Sequence, residues 1–139
     1  MKEQIKVAVI PPNEAPYMKV IPNTLEAFQG LVNGYIEAVP LKYGVYMILN
    51  EEGKFDEEYN CDYFDDELCG NIVLCGVDEE DFDDCPQIAL DMLNVINVGY
   101  RFGQLHNIDP MEPYRASAVK LALEGLSGGA SCEGRMYFS

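Results

Sequence analysis

The sequence predicts an α/β (α+β) fold, with a small mixed or antiparallel sheet of four to five strands, one helix after the first hairpin and two C-terminal helices. Three observations predict it. Short β-branched runs alternate with proline and glycine turns, a well-capped helical segment follows the first two runs, and helical spacing begins after Pro86. A chain of 139 residues, 48% hydrophobic, is the size of one globular domain.

The first elements are a hairpin and a helix. Ile5 to Ile10 and Tyr17 to Ile21 are two strand-like runs joined by the long loop "PPNEAPY". In the following "NTLEAFQGLVNG", Asn23 is a predicted N-cap, Glu26 stands at the capping-box position and Gly34 is a natural stop. We therefore expect a helix between Asn23 and Gly34.

Three further strands are predicted before residue 78. "YIEAVPL" and "GVYMILN" are expected to pair through a turn around Lys42 to Gly44. "NIVLCGV" is a β-branched run typical of a strand that is buried on both faces. That strand leads directly into "GVDEEDFDD", an acidic stretch expected to be a loop or a binding surface.

The C-terminal part is expected to be helical. One helix follows Pro86 and ends near Gly99, and a second begins with Asp109 as cap, Pro110 at the first position and Glu112 at the capping-box position. The second helix is expected to end at Gly125, with an apolar stripe of Met111, Tyr114, Ala118 and Leu121. We divide the chain into a core domain, residues 1–98, and a C-terminal extension with a glycine-rich tail, residues 99–139, which finishes in a strand-like run from Met136 to Phe138.

The charge of the chain is concentrated in one segment. Between Glu51 and Asp84 there are fifteen acids and one base, Lys54, which gives −14 out of a formal net charge of −15. Such a segment repels nucleic acids and anionic membranes, and it attracts cations or a basic protein surface. The expected partner is therefore a host protein with a basic or nucleic-acid-binding surface, with no direct nucleic acid and no membrane.

Aromatic residues are interleaved with these acids, as they are in protein-binding surfaces that combine charge with apolar anchors. If the carboxylates are spaced like phosphates, a nucleic-acid-binding protein would accept the surface as a decoy. A solvated surface without a partner is the alternative. The predicted partner-binding residues are Asp62, Asp65, Asp66, Glu67, Asp78, Glu79, Glu80, Asp81, Phe82, Asp83 and Asp84.

No motif for catalysis, metal or cofactor binding is found in the sequence. The acidic run lacks the spacing and internal glycine of a calcium loop, and the first four cysteines lie eight, six and ten residues apart, unlike zinc ligands. His106 is the single histidine, and a Cys and His pair that meets only in space stays open. Five cysteines without a signal peptide or a bilayer-spanning run indicate reduced thiols and a cytoplasmic protein.

A second hypothesis is a protein that sequesters a small anionic ligand, such as a nucleotide signal of host defence. Its ligand-binding residues would be Tyr100, Arg101, Tyr114 and Arg115, which combine cations with aromatic rings. Such a pocket is expected at a subunit interface, which would require a homodimer.

The stretches "NTLEAFQGLVNGYIEAVPL", "NEEGK" and "GNIVLCGVDEEDF" resemble domain-of-unknown-function family 3846, over roughly the first ninety residues. The resemblance implies a small α/β protein of a phage or conjugative element, without established catalytic residues. After the "NEEGK" turn the family tends to have a proline-asparagine-arginine stretch, whereas this chain has Asn60 and no arginine there. We therefore expect a non-enzymatic accessory protein of the bacterial cytoplasm that blocks a host defence protein, as an anti-restriction or anti-CRISPR DNA mimic.

Overall fold

The computed structural model describes residues 2–53, 57–106, 112–128 and 136–138, which contain three helices and nine strands. The helices are α1 (Leu25–Val32), α2 (Gln87–Leu105) and α3 (Glu112–Leu126). The strands are β1 (Gln4–Ile10), β2 (Tyr17–Pro22), β3 (Ile36–Pro40), β4 (Val45–Asn50), β5 (Tyr59–Tyr63), β6 (Asp66–Cys69), β7 (Ile72–Asp78), β8 (Asp81–Asp83) and β9 (Met136–Phe138).

The main sheet is antiparallel, with the strand order β2-β1-β7-β4-β3-β9, and β8 pairs with the end of β7. The five predicted strands are β1, β2, β3, β4 and β7, so the predicted α+β class is confirmed. The strand-like finish of the chain is β9, which pairs with β3. The sequence did not predict β8 or the separate hairpin formed by β5 and β6.

Both faces of the main sheet are covered, because alternate residues of its strands are apolar on each side. On one face, Val7 of β1 and Val73 of β7 pack in a cluster with Phe28 of α1. On the other face, Ala8 and Leu74 pack in a cluster with residues of α2, α3 and the β5–β6 hairpin. The structure is therefore three-layered, with α1 on one side of the sheet and the remaining helices on the other.

The caps of α1 lie one residue away from the predicted positions. Thr24, not Asn23, is the N-cap, and its Oγ1 accepts a hydrogen bond from the Ala27 backbone N–H at 3.2 Å. At the other end Asn33, not Gly34, adopts the left-handed conformation with φ 63°. Asparagine tolerates that conformation better than most residues with a Cβ, so it competes with glycine at this position.

The two C-terminal helices also differ from the prediction. α2 continues through Gly99 to Leu105, because an isolated glycine weakens a helix without ending it. In α3 the predicted stripe was wrong at Leu121, which is 68% exposed. The face that packs on the sheet contains instead Val119, Ala122, Leu123 and Leu126. The predicted cap Asp109, with Pro110 and Met111, lies outside the described residues.

The predicted division at residues 98 and 99 falls inside α2. Residues from both sides of it, among them Ala89 of α2 and Leu123 of α3, belong to the same buried cluster. The division into two parts stays a prediction. None of the described helices has the length and apolar character needed to cross a membrane.

A buried polar group connects α3 to the β5–β6 hairpin. Arg115 is fully buried, and its guanidinium donates hydrogen bonds to the side-chain and backbone oxygens of Asn60 and to the carbonyl of Pro11. Asn60, also fully buried, donates through Nδ2 to the carbonyls of Ile10 and Gly70, both at 2.8 Å. The two side chains therefore fix the start of β5 against β1 and α3.

Replacing Asn60 tests how strongly this group holds the fold. Asn60→Ala is expected to lower the free energy of unfolding by about 3 kcal/mol, because two buried carbonyls lose a donor and Arg115 loses an acceptor. Urea denaturation followed by circular dichroism measures the change. Asn94→Ala, at an exposed position of α2, serves as the control and should change stability by less than about 0.5 kcal/mol. Equal effects of the two substitutions would contradict the assigned role.

Candidate functional site

The stretch "GVDEEDFDD" forms a tight hairpin instead of a loop. β7 and β8 are paired from Gly76 with Asp83 to Asp78 with Asp81, which leaves a two-residue turn of Glu79 and Glu80. All four residues from Asp78 to Asp81 are exposed, and we call this segment the β7–β8 tip. It places four consecutive carboxylates at the point where the buried strand β7 leaves the core.

Phe82 anchors the hairpin to the layer that contains α1. Its ring centroid lies 4.9 Å from that of Phe28 and 6.3 Å from that of Tyr46, and its carbonyl accepts a hydrogen bond from Asn23 Nδ2 at 2.9 Å. Phe82 was predicted as an apolar contact for a partner. The structure instead places it half-buried against the α1 cluster, where its packing holds β8 in position.

Asp83 and Asp84 are held by Lys2, which precedes β1, and by Lys6 of β1. Lys2 Nζ lies 3.0 Å from Asp83 Oδ1 and 2.7 Å from Asp84 Oδ2, and the Lys6 backbone N–H donates to Asp84 Oδ1 at 2.8 Å. The hydrogen bonds from Lys2 and from the Lys6 backbone lower the pKa of Asp84. The pKa of Asp83 is lowered mainly by a hydrogen bond from the Asp84 backbone N–H and, to a smaller extent, by Lys2. Of the six carboxylates in the stretch, these two have cationic partners within the fold.

Close backbone packing fixes the return of the chain after β8. A Cβ at Gly76 would overlap the carbonyl oxygen of Asp84, so only glycine allows this approach. The Cys85 backbone N–H then donates to the Lys6 carbonyl at 2.8 Å, which binds the chain to β1. The base of the hairpin is therefore fixed on both sides of the tip.

The remaining predicted acids lie in the β5–β6 hairpin, whose two-residue turn is Phe64 and Asp65. Asp65 and Glu67 are exposed, whereas Asp62 and Asp66 are partly buried. The hydroxyl of Tyr59 donates to Asp62 Oδ1 at 3.0 Å, and burial together with this carboxylate raises the pKa of Tyr59 to about 12.

Helix α3 supports the turn of this second hairpin. The Phe64 backbone N–H donates to Glu124 Oε2 at 2.8 Å, and Glu124 is also paired with Lys120 at 2.7 Å. Partial burial opposes ionisation of Glu124, but the bonds from Lys120 and Phe64 outweigh it and lower its pKa. The Tyr63 and Phe64 rings pack edge to face, with centroids 4.8 Å apart.

The two acidic hairpins are anchored on opposite faces of the sheet. Tyr63 and Phe64 pack with the α2 and α3 cluster, whereas Phe82 packs with the α1 cluster. The predicted acidic residues therefore belong to two separate hairpins and do not form one continuous surface stretch along the chain. In β5, Asn60, Cys61 and Tyr63 are all buried, so the strand lacks a regular alternation of buried and exposed residues, and its turn "YFDD" contains no glycine.

The second predicted site is not assembled around Arg115. Its guanidinium is buried and bonded to Asn60, so it is used inside the fold instead of facing a ligand. Arg101 is exposed on α2. Tyr100 and Tyr114 lie in α2 and α3, and their side chains are outside the described part of the structure.

Residues 5–95 match the family model of a domain of unknown function, DUF3846, which is more than half of the chain. The chain belongs to the DUF3846 family. No curated protein and no solved structure matches it. The match in this DUF3846 chain covers both acidic hairpins, the sheet without β9, and the first half of α2, whereas α3 and Arg115 lie beyond it.

Three of the four described thiols of this DUF3846 protein are poorly suited to nucleophilic chemistry. Burial raises the pKa of Cys61 and of Cys85 to about 12, and it also raises the pKa of Cys75. These thiols are therefore protonated near neutral pH, whereas the thiolate is the reactive form. Within the described ranges, no three His, Cys, Asp or Glu side chains are grouped so that they could hold a metal ion.

Removing Lys2 tests the ion pairs at the base of the β7–β8 hairpin. In Lys2→Gln the pKa of Asp84 is expected to rise toward its ordinary value of 3.8, because the bond from Lys2 is the largest cause of its lowered pKa. The pKa of Asp83 should rise less, because the hydrogen bond from the Asp84 backbone N–H is the largest cause of its lowering. A carboxyl group whose pKa is lowered in the folded state stabilises the fold when the pH is above its ordinary, unfolded-state pKa. This stabilisation is lost as the pH falls through the pKa of the folded state. The variant should therefore lose less stability on acidification than the natural chain.

Carbon-detected NMR titration gives both pKa values, and urea unfolding at pH 7 and pH 3 gives the stability difference. Lys19→Gln, at an exposed position of β2, is the matched control and should leave both aspartates unchanged. An unchanged pKa of Asp84 in Lys2→Gln would show that the ion pair does not form in solution.

The backbone of the β7–β8 tip gives a second test. Glu79 has φ 57°, a left-handed conformation that costs a residue with a Cβ about 1 kcal/mol, whereas Glu80 is outside that region. Glu79→Gly is therefore expected to raise the free energy of unfolding by roughly 0.5 to 1 kcal/mol. Glu80→Gly removes the same charge and should lower stability by a similar amount, because glycine gains only unfolded-state entropy there. Thermal and urea unfolding distinguish the two, and shifts of the same sign would contradict the assigned turn.

Proposed function

We propose that this protein is a non-enzymatic accessory protein of a phage or mobile element that inhibits a host defence protein in the bacterial cytoplasm. In this proposal the acidic hairpins occupy a basic, nucleic-acid-binding surface of the host protein. The inhibition would be anti-restriction or anti-CRISPR activity by mimicry of a nucleic acid. The family assignment and the distribution of charge support the proposal.

The β7–β8 tip is the observation that carries this proposal. Charge that serves only solubility can be placed at any exposed position, so solubility does not require a strained backbone. Here Glu79 occupies a left-handed conformation for which glycine is the usual residue, between further exposed carboxylates. Backbone strain of this kind is concentrated at functional sites, where the side chain has a use that compensates for its energetic cost.

The spacing of the tip suits a polyanion decoy. Asp78 and Asp81 are directly paired across the hairpin, where Cβ atoms lie about 5 Å apart, and the two glutamates extend beyond them. Duplex DNA carries one charge per roughly 1.7 Å of its axis, so four carboxylates in one turn give a comparably dense local charge. Phe82 and the Lys2 pairs hold this charge in a fixed place, which lowers the entropy lost on binding.

The hypothesis of a nucleotide-sequestering protein stays open as a prediction. It relied on four residues, of which Arg115 is committed to Asn60 inside the fold. No observation among the described residues favours it over the acidic hairpins.

Affinity capture from a bacterial lysate, followed by mass spectrometry, tests the proposed function. We expect a nucleic-acid-binding protein to be retained at about 50 mM salt and released at about 500 mM, because contacts between exposed charges are screened. A variant in which Asp78 and Asp81 become Asn, and Glu79 and Glu80 become Gln, should lose at least nine tenths of the captured protein. Asp83 and Asp84 are left intact so that their Lys2 pairs still hold the hairpin.

A matched variant separates the tip from net charge. Glu3, Glu14 and Glu26 changed to Gln, with Asp91 changed to Asn, removes four exposed carboxylates elsewhere and gives the same net charge. This control should retain most of the capture. If both variants lose the captured protein equally, overall charge explains the binding. If both variants retain it equally, the proposed binding site is contradicted.

A further inference from the structure

The main sheet has an open edge at β2. This strand ends the strand order, so within the described residues its only strand partner is β1. Its six residues span about 20 Å of extended backbone, and only Pro22 at its end lacks an N–H. The N–H and C=O groups on its outer side have no sheet partner in the described part of the chain. An edge of this kind is a template for a further strand.

Two exposed apolar side chains of β2 lie on the side of the sheet that α2 covers. Met18 and Val20 are 36% and 59% exposed. They are paired with Ala8 and Lys6 of β1, and Ala8 belongs to the cluster beneath α2 and α3. Residues directly opposite each other in an antiparallel pair share a face of the sheet, so Met18 and Val20 project on the α2 side. The open edge is therefore apolar on that side.

A cavity of about 240 Å³ opens between this edge and α2. It is lined by Ala8 and Met18 of the hairpin and by Leu90, Asn94 and Asn97 of α2. None of its described lining residues is charged, and the two carboxamides can donate and accept hydrogen bonds. The volume is below the roughly 300 Å³ at which pockets for drug-sized ligands begin, so the cavity suits a single apolar side chain. We call the β2 edge and this cavity together the β2–α2 groove.

The charge of the hairpin indicates which strand fits beside β2. β1 and β2 contain Lys6 and Lys19 and no acid, whereas the other described strands contain acids and no base. Lys19 is exposed in the middle of the edge strand. An acid opposite it in an added strand makes a favourable cross-strand pair, and a base there is repelled. A second copy of this chain, paired symmetrically around Lys19, would oppose one lysine to another.

From these observations we infer that the β2–α2 groove binds an extended segment of a partner protein, which joins the main sheet as a strand next to β2. In this mode of recognition main-chain hydrogen bonds supply affinity, and pockets for alternate side chains supply specificity. The bound segment directs apolar side chains toward α2, one of them into the cavity, and an acid toward Lys19. The inference does not depend on the proposed function, because no residue of the acidic hairpins forms the groove.

Selection from a random decapeptide library displayed on phage tests the inference. The natural chain should enrich peptides in which apolar and polar residues alternate, with an acid among the polar ones. Val20→Glu places a carboxylate on the α2 side of the edge and should remove the enrichment. Val95→Glu is the matched control, because Val95 is 62% exposed on α2 and does not line the groove. A thermal melt confirms that each variant is folded, which is expected because both side chains are exposed.

Fluorescence anisotropy with one enriched peptide, labelled at its end, separates strand addition from other modes of binding. Methylation of alternate backbone nitrogens of the peptide removes N–H donors and keeps every side chain. It should raise the dissociation constant by about tenfold or more, because main-chain hydrogen bonds are lost. Lys19→Glu should weaken binding of the acidic peptide severalfold and strengthen binding of the same peptide with its acid replaced by lysine.

Three outcomes would overturn the inference. The first is no enrichment beyond that of Val20→Glu, and the second is equal binding of the methylated peptide, since side chains alone would then hold it. The third is a dimer of the natural chain in sedimentation velocity that Val20→Glu abolishes, which would assign the edge to a second copy. The variant with Asp78 and Asp81 changed to Asn, and Glu79 and Glu80 to Gln, should bind the peptide within about twofold of the natural chain at 150 mM salt. Failure of the proposed function is therefore distinguishable from failure of this inference.

Discussion

The rest of the structure depends on the burial of β7. Ile72 to Cys75 have almost no exposed surface, and the strand pairs with β1 and β4 on its two sides. Because both of its faces are apolar, the sheet needs cover on both faces, which α1 provides on one side and α2, α3 and the β5–β6 hairpin provide on the other. Charge is excluded from such a strand, so the acids begin at Asp78, where it emerges from the core.

The sequence predicted the parts of the fold that local pattern determines. The β1–β2 and β3–β4 hairpins and the buried strand β7 follow from apolar periodicity and turn residues. The β5–β6 and β7–β8 hairpins escaped prediction because their turns use Phe64 and Glu79 at positive φ, where glycine would have been the signal. Glu124 accepts a hydrogen bond from Phe64 in the first turn, and Lys6 donates one to Asp84 at the base of the second hairpin. These partners lie 60 or more residues away in the chain.

The acidic residues of the candidate site could be predicted from the sequence, but their arrangement in space could not. The sequence identified the acidic residues, whereas the pairing of Asp83 and Asp84 with Lys2, across more than 80 residues, required the folded sheet. Arg115 was predicted to bind a ligand at the surface, because an arginine near a predicted helix start is normally exposed, but it is buried. Its burial depends on Asn60 of β5 and on Pro11, which directly follows β1, and the topology brings both residues to it.

The buried cysteines give the two layers of the fold separate reporters. Cys75 lies in the cluster beneath α1, whereas Cys61 and Cys85 lie in the cluster beneath α2 and α3. A thiol reagent reaches each position only when its own layer opens, because buried protonated thiols do not react from the closed state. The order in which these thiols are modified under native conditions would therefore show which helical layer separates from the sheet first.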